Sequence, residues 1–509
     1  SASHTKRLGA VQDFNRLSFF SALCQLRKTN LPLGDSAKVV APRLLHSTQI
    51  GLLCPLHSPD GGNIGLHKHL STSTYITKGE SCIPYFHYLR SRCGMKILEE
   101  CSFDFLAKTT KVFLNGAWVG CHTNPIVCVD FIKNHRRNNM IGIFTSVHFD
   151  FKRNEIIILT DSGRPLRPLY YMMNDQDNNK YMSYERDNIK NLYKDNKISW
   201  NNIINGLNKQ EKTDSIQLKK LSEKDFINNS SVVEFLDTQE AQGIVLAHSE
   251  IKRKDFIKNR ITHEEIHPSL LLGIMANQII YPENNPYPRN AFSCGQAKQG
   301  VSMYHSNFRN RVDKTSLILN TGQIPLTKTR YFKYATNNEH PYGENAIVAI
   351  MCYSGYNVDD AVIINQGSLD RGLFRTTKYA VYEGHETTEG VQNNKITNSE
   401  TFLNIEQNNV NGIKPGYDYS NLDKKSGIIK EGTIINEKSV LIGKATGDHT
   451  MEDIYIDSSV TARKGDTGII DKSFMTSGLE GKRVAKVKIR SERVPAIGDK
   501  FCSRAGQKG

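Results

Sequence analysis

The sequence predicts a multidomain α+β protein that is mostly β, on three observations. At 509 residues the chain exceeds what one hydrophobic core serves, about 250–300 residues. Short β-like runs bounded by Gly, Asn and Asp recur, among them KVFLNGAWVG, NEIIILTDSGRPLRPLYY, AIVAIMCYSGY and DAVIIN. A compositional break lies among them: NDQDNNKYMSYERDNIKNLYKDNK is rich in Asn and Lys and poor in apolar periodicity, the mark of an exposed insertion.

The elements follow in chain order. In DFNRLSFFSALCQLRK, Phe14, Leu17, Ala22 and Leu26 recur at helical spacing, which predicts an amphipathic helix. A Gly-, Pro- and base-rich loop, TNLPLGDSAKVVAPRLLHS, comes next, and CPLHSPDGGNIGL (54–66) has the residues of a tight turn. Residues 78–170 read as a small β-rich module. Residues 172–231 carry the insertion, helical in parts or disordered, and 232–275 return to a core pattern. Residues 276–380 hold the densest turn signals, with AIVAIMCYSGY and DAVIIN expected as buried strands. Residues 381–485 open polar and continue as strands separated by Gly and Asp. The end is basic: from Lys486 to Gly509 there are seven Lys or Arg against two Asp or Glu. No internal repeat is present.

Composition narrows the function. The formal charge of +14, from 66 Lys and Arg against 52 Asp and Glu, fits a polyanionic partner, although the coding bias of an AT-rich genome yields the same excess. No run of about 18 apolar residues is present, so no membrane span is expected. The first residues lack a starting Met and the apolar block of a signal peptide. The ten cysteines contain no CxxC pair; neither a zinc site nor a disulfide framework is expected, and an intracellular, reducing compartment is.

Four motifs bear on chemistry. HEEIH (263–267) matches a zinc-protease pattern, but Pro268 forces the preceding residue out of the helical region and would end the helix at its second ligand; the match is read as chance. GYNVDDAVIIN (355–365) sets Asp359 and Asp360 at the lip of an expected strand, where neighbours face opposite ways. NPYPRNAFSCGQAKQG (285–300) offers Arg289, Lys298 and Gln299; arginine can clamp a phosphate with two hydrogen bonds. GDKFCSRAGQKG (498–509) combines Lys500, Arg504 and Lys508 with glycines that let backbone approach a ligand closely. A solvated surface loop would account for either of the last two. No Walker loop, Rossmann glycine fingerprint or DxDxD-like cluster occurs, so any catalytic magnesium needs carboxylates from another polypeptide.

In order, RLSFFSALCQLRKTNLPLG, APRLLHSTQIGLLCPLHSPDGGNIGL, SGRPLRPL, EIHPSLLLG, YPRNAFSCGQAKQG, NAIVAIMCYSGYNVDDAVIINQGSLDRGLF and VPAIGDKFCSRAGQKG resemble the second-largest subunit of multisubunit DNA-dependent RNA polymerases, called β in bacteria. The wording is nearer the archaeal and eukaryotic type. Three places depart from it: Ser58-Pro59-Asp60-Gly61 for Thr-Pro-Glu-Gly, Asp359-Asp360 for Glu-Asp, and Ala505 where a His is usual. With the Asn-rich insertion, these point to a divergent lineage such as a large DNA virus.

The resemblance implies a fork (1–77), two external modules (78–183 and 184–273), a hybrid-binding region (274–380 and 486–509) and an intervening wall or flap (381–485). The hybrid-binding region would hold an incomplete double-psi β-barrel, implying a fragment or split subunit completed from elsewhere. The implied reaction is nucleotidyl transfer, with the largest subunit supplying most magnesium ligands and no zinc in this segment. Lys500 and Lys508 would approach the RNA 3′ end and NTP phosphates, Arg289 the triphosphate, and Asp360 with Asp359 a second Mg²⁺ through water. Gln299, Lys298 and Arg504 would line the RNA–DNA hybrid, and Arg27 and Arg43 would touch nucleic acid from the fork. Implied partners are the largest and the small polymerase subunits, DNA template, RNA transcript and NTPs, in the nucleus, or in the cytoplasm or virion if viral. The competing class is a non-catalytic single-strand-binding protein, which would want stacking aromatics in the basic end; only Phe501 is there.

Overall fold

The computed structural model describes residues 11–33, 38–174, 180–195, 197–206, 228–248, 259–387, 390–392, 395–397, 399–408, 410–447, 455–478 and 481–509. Much of the Asn- and Lys-rich insertion, including 207–227, lies outside them. Its described part forms a short strand, Lys180–Met182, and two helices, Asp187–Lys194 and Trp200–Asn205. The chain divides into two compact units, Lys28–Ala276 on one side and Ser1–Arg27 with Asn277–Gly509 on the other. No described helix is long and apolar enough to cross a membrane.

In the Lys28–Ala276 unit, a five-stranded sheet runs Lys96–Ile97, Ala117–His122, Thr110–Leu114, Glu155–Leu159, Ser146–Asp150. The NG pair of KVFLNGAWVG turns its hairpin with both residues at positive φ, the geometry that Asn-Gly favours. Helix α1 is Phe19–Leu26 of the other unit; α2 (Ile83–Arg92) and α3 (Pro125–Arg137) belong here. Leu89, Val129 and Ile132 from α2 and α3 bury against Val112, Val147, Ile156 and Ile158 of the sheet. A second sheet gathers around the long strand Pro165–Asn174, which pairs with Tyr75–Ile76, Val233–Leu236, His263–Glu264 and Lys180–Met182.

A buried charged cluster ties α3 to that second sheet. Arg136, 1% exposed, makes two 2.8 Å bonds to Glu240 and one of 3.0 Å to Glu234. Arg137 and His263 also reach Glu234, at 2.9 and 2.6 Å. Burial alone would raise the Glu234 carboxyl, but Arg137, Arg136 and His263 outweigh it and hold it well below the ordinary carboxylate range.

In the other unit, five antiparallel strands run Thr315–Leu319, Thr376–His385, Arg483–Arg493, Gly468–Ser477, Ile434–Ile435. A four-stranded sheet of Glu400–Phe402, Lys444–Gly447, Tyr455–Asp457 and Val410–Asn411 shares their core, centred on Leu441, Ile442, Ala485 and Val487. No sheet closes into a barrel among the described residues.

Two expectations need correction. The first helix is shorter than its pattern: Ser18 caps it by accepting from the Ser21 amide, and Phe20, Ala22 and Cys24 are buried, whereas Phe14, Leu17 and Leu26 are exposed. Phe14 and Leu17 precede the cap, so their spacing was not set by a helix. The runs AIVAIMCYSGY and DAVIIN are neither strands nor buried. Residues 345–363 are exposed apart from Asn357, with Ile347 and Ile350 fully open, and none belongs to a strand. Apolarity signals that a surface suits burial; it does not name the chain that covers it.

Candidate active-centre site

The site is built on helix α4, Tyr287–Gln299, which starts with Pro288 in its first turn, where a missing amide costs nothing. Arg289, Ser293 and Gln296 recur at i, i+4 and i+7 on one face, and that face receives the terminal loop. Gln296 Nε2 donates to the Gly506 carbonyl at 3.1 Å, Arg289 Nη1 to the same oxygen at 3.4 Å, and Ser293 Oγ to the Arg504 carbonyl at 2.5 Å. Gly506 is needed here. Its φ is +85°, and a Cβ would fall 2.2 Å from the Arg289 carbonyl oxygen.

The loop itself is a small hairpin. Phe501 and Gly509 exchange two 2.9 Å backbone bonds, Ser503 donates to the Gln507 carbonyl at 2.8 Å, and Cys502 faces Lys508. Arg493, on the strand leading in, pairs with Asp499 at 2.5 Å. The hairpin holds Lys508 exposed with its ammonium 5.8 Å from the centre of the Phe292 ring of α4. Lys500 is also exposed, and among the described residues neither lysine has an ion pair. Burial pushes the Tyr342 hydroxyl up to about 12, with the Arg504 charge working against it.

Asp359 and Asp360 are not at a strand lip. Both adopt left-handed backbone, φ 60° and 70°, a conformation Asp tolerates better than most residues. Gln507 Nε2 donates to Asp360 Oδ1 at 3.0 Å, and a Cβ on Gly509 would sit 2.4 Å from the Asp360 carbonyl oxygen. The hairpin therefore touches Arg289 on one side and Asp360 on the other. Among the described residues no group of three or more His, Cys, Asp or Glu could hold a metal. Two adjacent carboxylates, one already engaged by Gln507, fit an ion shared with other ligands rather than one held by this chain alone.

The remaining candidates scatter. Lys298 and Gln299 occupy the far end of α4, about 14 Å from Arg289 at the helical rise. The Lys298 carbonyl accepts from Ser18 Oγ at 2.5 Å, which joins α1 to α4. Arg27 closes α1 as its C-cap; burial lowers its pKa, opposed by Cys24. Arg43, in the other unit, spends its guanidinium on the Val39, Gly62 and Ile64 carbonyls at 3.1, 2.6 and 2.9 Å. Phe501 packs on Phe374 with ring centres 5.1 Å apart. His263 of the HEEIH motif lies in a strand, and His267 accepts from the Ser269 amide, so the zinc-helix geometry is absent.

Gln507, Ser293 and Gln296 were missed from sequence, although the i, i+4, i+7 spacing marks the latter two as neighbours of Arg289. Lys488 was missed as well. Its ammonium, 3% exposed as a residue, donates to the Phe308, Arg309 and Arg311 carbonyls at 3.1, 3.0 and 3.1 Å. No local pattern reveals three carbonyls that converge from another segment.

Comparison with known proteins gives a consistent picture. Profiles for RNA polymerase Rpb2 domains 3, 4 and 6 match residues 12–76, 112–173 and 275–509. Over 99% of its length the chain is 36% identical to the DNA-directed RNA polymerase II subunit RPB2 of Encephalitozoon cuniculi and 34% to subunit 2 of Arabidopsis thaliana. It is 31% identical to the archaeal subunit Rpo2 of Sulfolobus acidocaldarius, again over 99% of the chain. The matched part is 42%, 41% and 43% of those relatives' lengths.

Proposed function

Because the chain belongs to the Rpb2 family of RNA polymerase second-largest subunits, we propose that it forms one half of an active centre for template-directed RNA synthesis. The observation that supports this reading is the terminal hairpin, which is seated on α4 through Gly506, touches Arg289 and Asp360, and carries two lysines with no ion pair among the described residues.

Nucleotidyl transfer builds negative charge on the α-phosphate as the RNA 3′-OH attacks and pyrophosphate departs. Cations fixed in advance stabilise that charge without reorganising. On this reading Lys508 and Lys500 neutralise phosphate oxygens near the RNA 3′ end. Arg289 clamps the triphosphate of the incoming NTP, and Gln507 fixes the carboxylate of Asp360. Asp360, with Asp359, would hold a second Mg²⁺ through water, and the largest subunit would hold the first; bound magnesium supplies phosphate charge neutralisation. Lys298, Gln299 and Arg504 face the hybrid, with Arg27 and Arg43 serving the fork.

The domain reading follows the same proposal: fork 1–77, external modules 78–183 and 184–273, hybrid-binding region 274–380 and 486–509, wall 381–485. On this reading the hybrid-binding region contributes the terminal lysines to a double-psi β-barrel completed by other parts of the polymerase, which would also cover residues 345–363; their open apolar surface supports such a cover. Partners are the other polymerase subunits, template DNA, RNA and NTPs, within the nucleus.

The test is Lys508→Ala in the assembled polymerase. Single-nucleotide addition should fall at least about tenfold, roughly 1.4 kcal/mol of transition-state stabilisation. An unchanged rate removes Lys508 from the active centre.

A further inference from the structure

Asparagine followed by glycine occurs three times in the chain, at Asn115–Gly116, Asn205–Gly206 and Asn411–Gly412. The dipeptide is chemically labile. Glycine has no side chain to shield its own nitrogen, so that nitrogen can attack the carboxamide carbon of the asparagine before it. The reaction needs a carboxamide free to swing back, a glycine amide with no other partner, and backbone loose enough to close a ring. The fold meets these conditions at one pair and denies them at the other two.

Asn115 is locked in place. Its Oδ1 accepts from the Thr160 amide at 2.8 Å, and its Nδ2 donates to Thr160 Oγ1 at 2.9 Å. Asn205 is 6% exposed at the end of the helix Trp200–Asn205, and at Gly206 a Cβ would fall 2.3 Å from the Asn229 carbonyl oxygen, so backbone crowds that pair. Asn411 is exposed. Among the described residues neither its side chain nor the Gly412 amide has a hydrogen bond. Asn411 ends the two-residue strand Val410–Asn411, which lies at the edge of the four-stranded sheet and pairs on one side only, with Tyr455–Ile456. So small a paired segment opens locally at little cost. At Gly412 the nearest atom that a Cβ would meet is Ile456 Cγ2 at 3.6 Å, which leaves room for a ring.

We infer that Asn411 is a site of spontaneous deamidation, a covalent mark that accumulates with the age of the protein. The Gly412 nitrogen attacks Asn411 Cγ; a new C–N bond closes a succinimide, and the carboxamide nitrogen leaves as ammonia with the proton that Gly412 gives up. One water then opens the ring. Attack at Cγ yields aspartate, and attack at the main-chain carbonyl carbon yields isoaspartate. The balance is one water in and one ammonia out, with no change of oxidation state. Either product adds a negative charge. Isoaspartate also routes the main chain through the side chain, adding a carbon to the backbone. The strand then loses its register with Tyr455 and Ile456, and the sheet sheds this edge.

The experiment ages the native full chain in mildly alkaline buffer made with heavy-oxygen water and maps its peptides by mass. An isoaspartyl methyltransferase with labelled S-adenosylmethionine reads isoaspartate in the same peptides. Chain unfolded in urea is the reference. In the native chain the Asn411 peptide should take up heavy oxygen and methyl label at least about tenfold faster than the Asn115 or Asn205 peptide, a difference in barrier set by the fold. In urea the three rates should converge, because the dipeptide is the same. Asn411→Gln, whose ring would need an additional carbon, should carry no label in that peptide. The proposal is overturned if Asn411 keeps its amide in the native chain while converting in urea. It is equally overturned if Asn115 or Asn205 converts as fast as Asn411 in the native chain. The wild-type map decides both without any variant having to fold.

Discussion

The protein uses charge in two opposite ways. In the α3 cluster, Arg136, Arg137, Glu234, Glu240 and His263 are taken out of water and matched to one another. In the terminal hairpin, Lys500 and Lys508 stay in water with no acid partner among the described residues. Removing one member of a buried cluster strands its partners, so that cluster governs stability. Removing an exposed, unpaired cation strands nothing, so its cost appears only when a ligand is bound. The difference gives a rule for telling the two uses apart: mutate each charge and see whether folding or function responds.

The largest effect is expected from Arg136→Met. Glu234 and Glu240 would be left buried without their main partner, costing about 3–5 kcal/mol. Urea denaturation of the chain measures it, and a loss below about 1 kcal/mol would erase the contrast. Gly506→Ala comes next. The strained φ and the 2.2 Å approach to Arg289 force the hairpin off α4; strain of this kind costs about 1–3 kcal/mol. Single-nucleotide addition in the assembled enzyme should drop as far as in Lys508→Ala, and a wild-type rate would uncouple the loop from the site.

Acid sharpens the comparison further. The Glu234 carboxyl is depressed in the folded state, so its contribution is complete above the ordinary value of 4.5 and is lost as pH falls through the depressed value. Glu234→Gln should therefore be much less stable than wild type at pH 7 and converge on it in acid. Parallel denaturation curves at every pH would contradict this. The smallest effect is on salt dependence. Lys508→Ala should reduce the slope of log affinity for nucleic acid against log salt by about one. Lys133→Ala, whose ammonium lies 3.6 Å from Glu240 at the cluster rim, should leave that slope unchanged.

Much of this was legible in the sequence, for identifiable reasons. The Asn-Gly hairpin and the strands Glu155–Leu159 and Pro165–Asn174 follow local rules of turn chemistry and periodicity. The glycines of GDKFCSRAGQKG suggest close backbone approach to a ligand, whereas the approach seen at Gly506 is to the Arg289 carbonyl of α4. The buried cluster was invisible because Arg136 and Glu234 are far apart in sequence and each looks like a surface residue alone. The left-handed backbone at Asp359 and Asp360 was missed because an apolar flank was read as a strand. The resemblance sets Arg43 at the fork, and no local pattern in the sequence announces the Val39, Gly62 and Ile64 carbonyls that its guanidinium meets.

Residues 345–363 carry a practical consequence. A ribbon with isoleucine, valine, methionine and tyrosine turned to solvent is sticky during biosynthesis, before any covering surface arrives. Refolding yield should fall as protein concentration rises, and co-expression with a covering subunit should rescue it. Supply of the polypeptide would then be set by how fast it meets that subunit, with unpaired copies lost to precipitation.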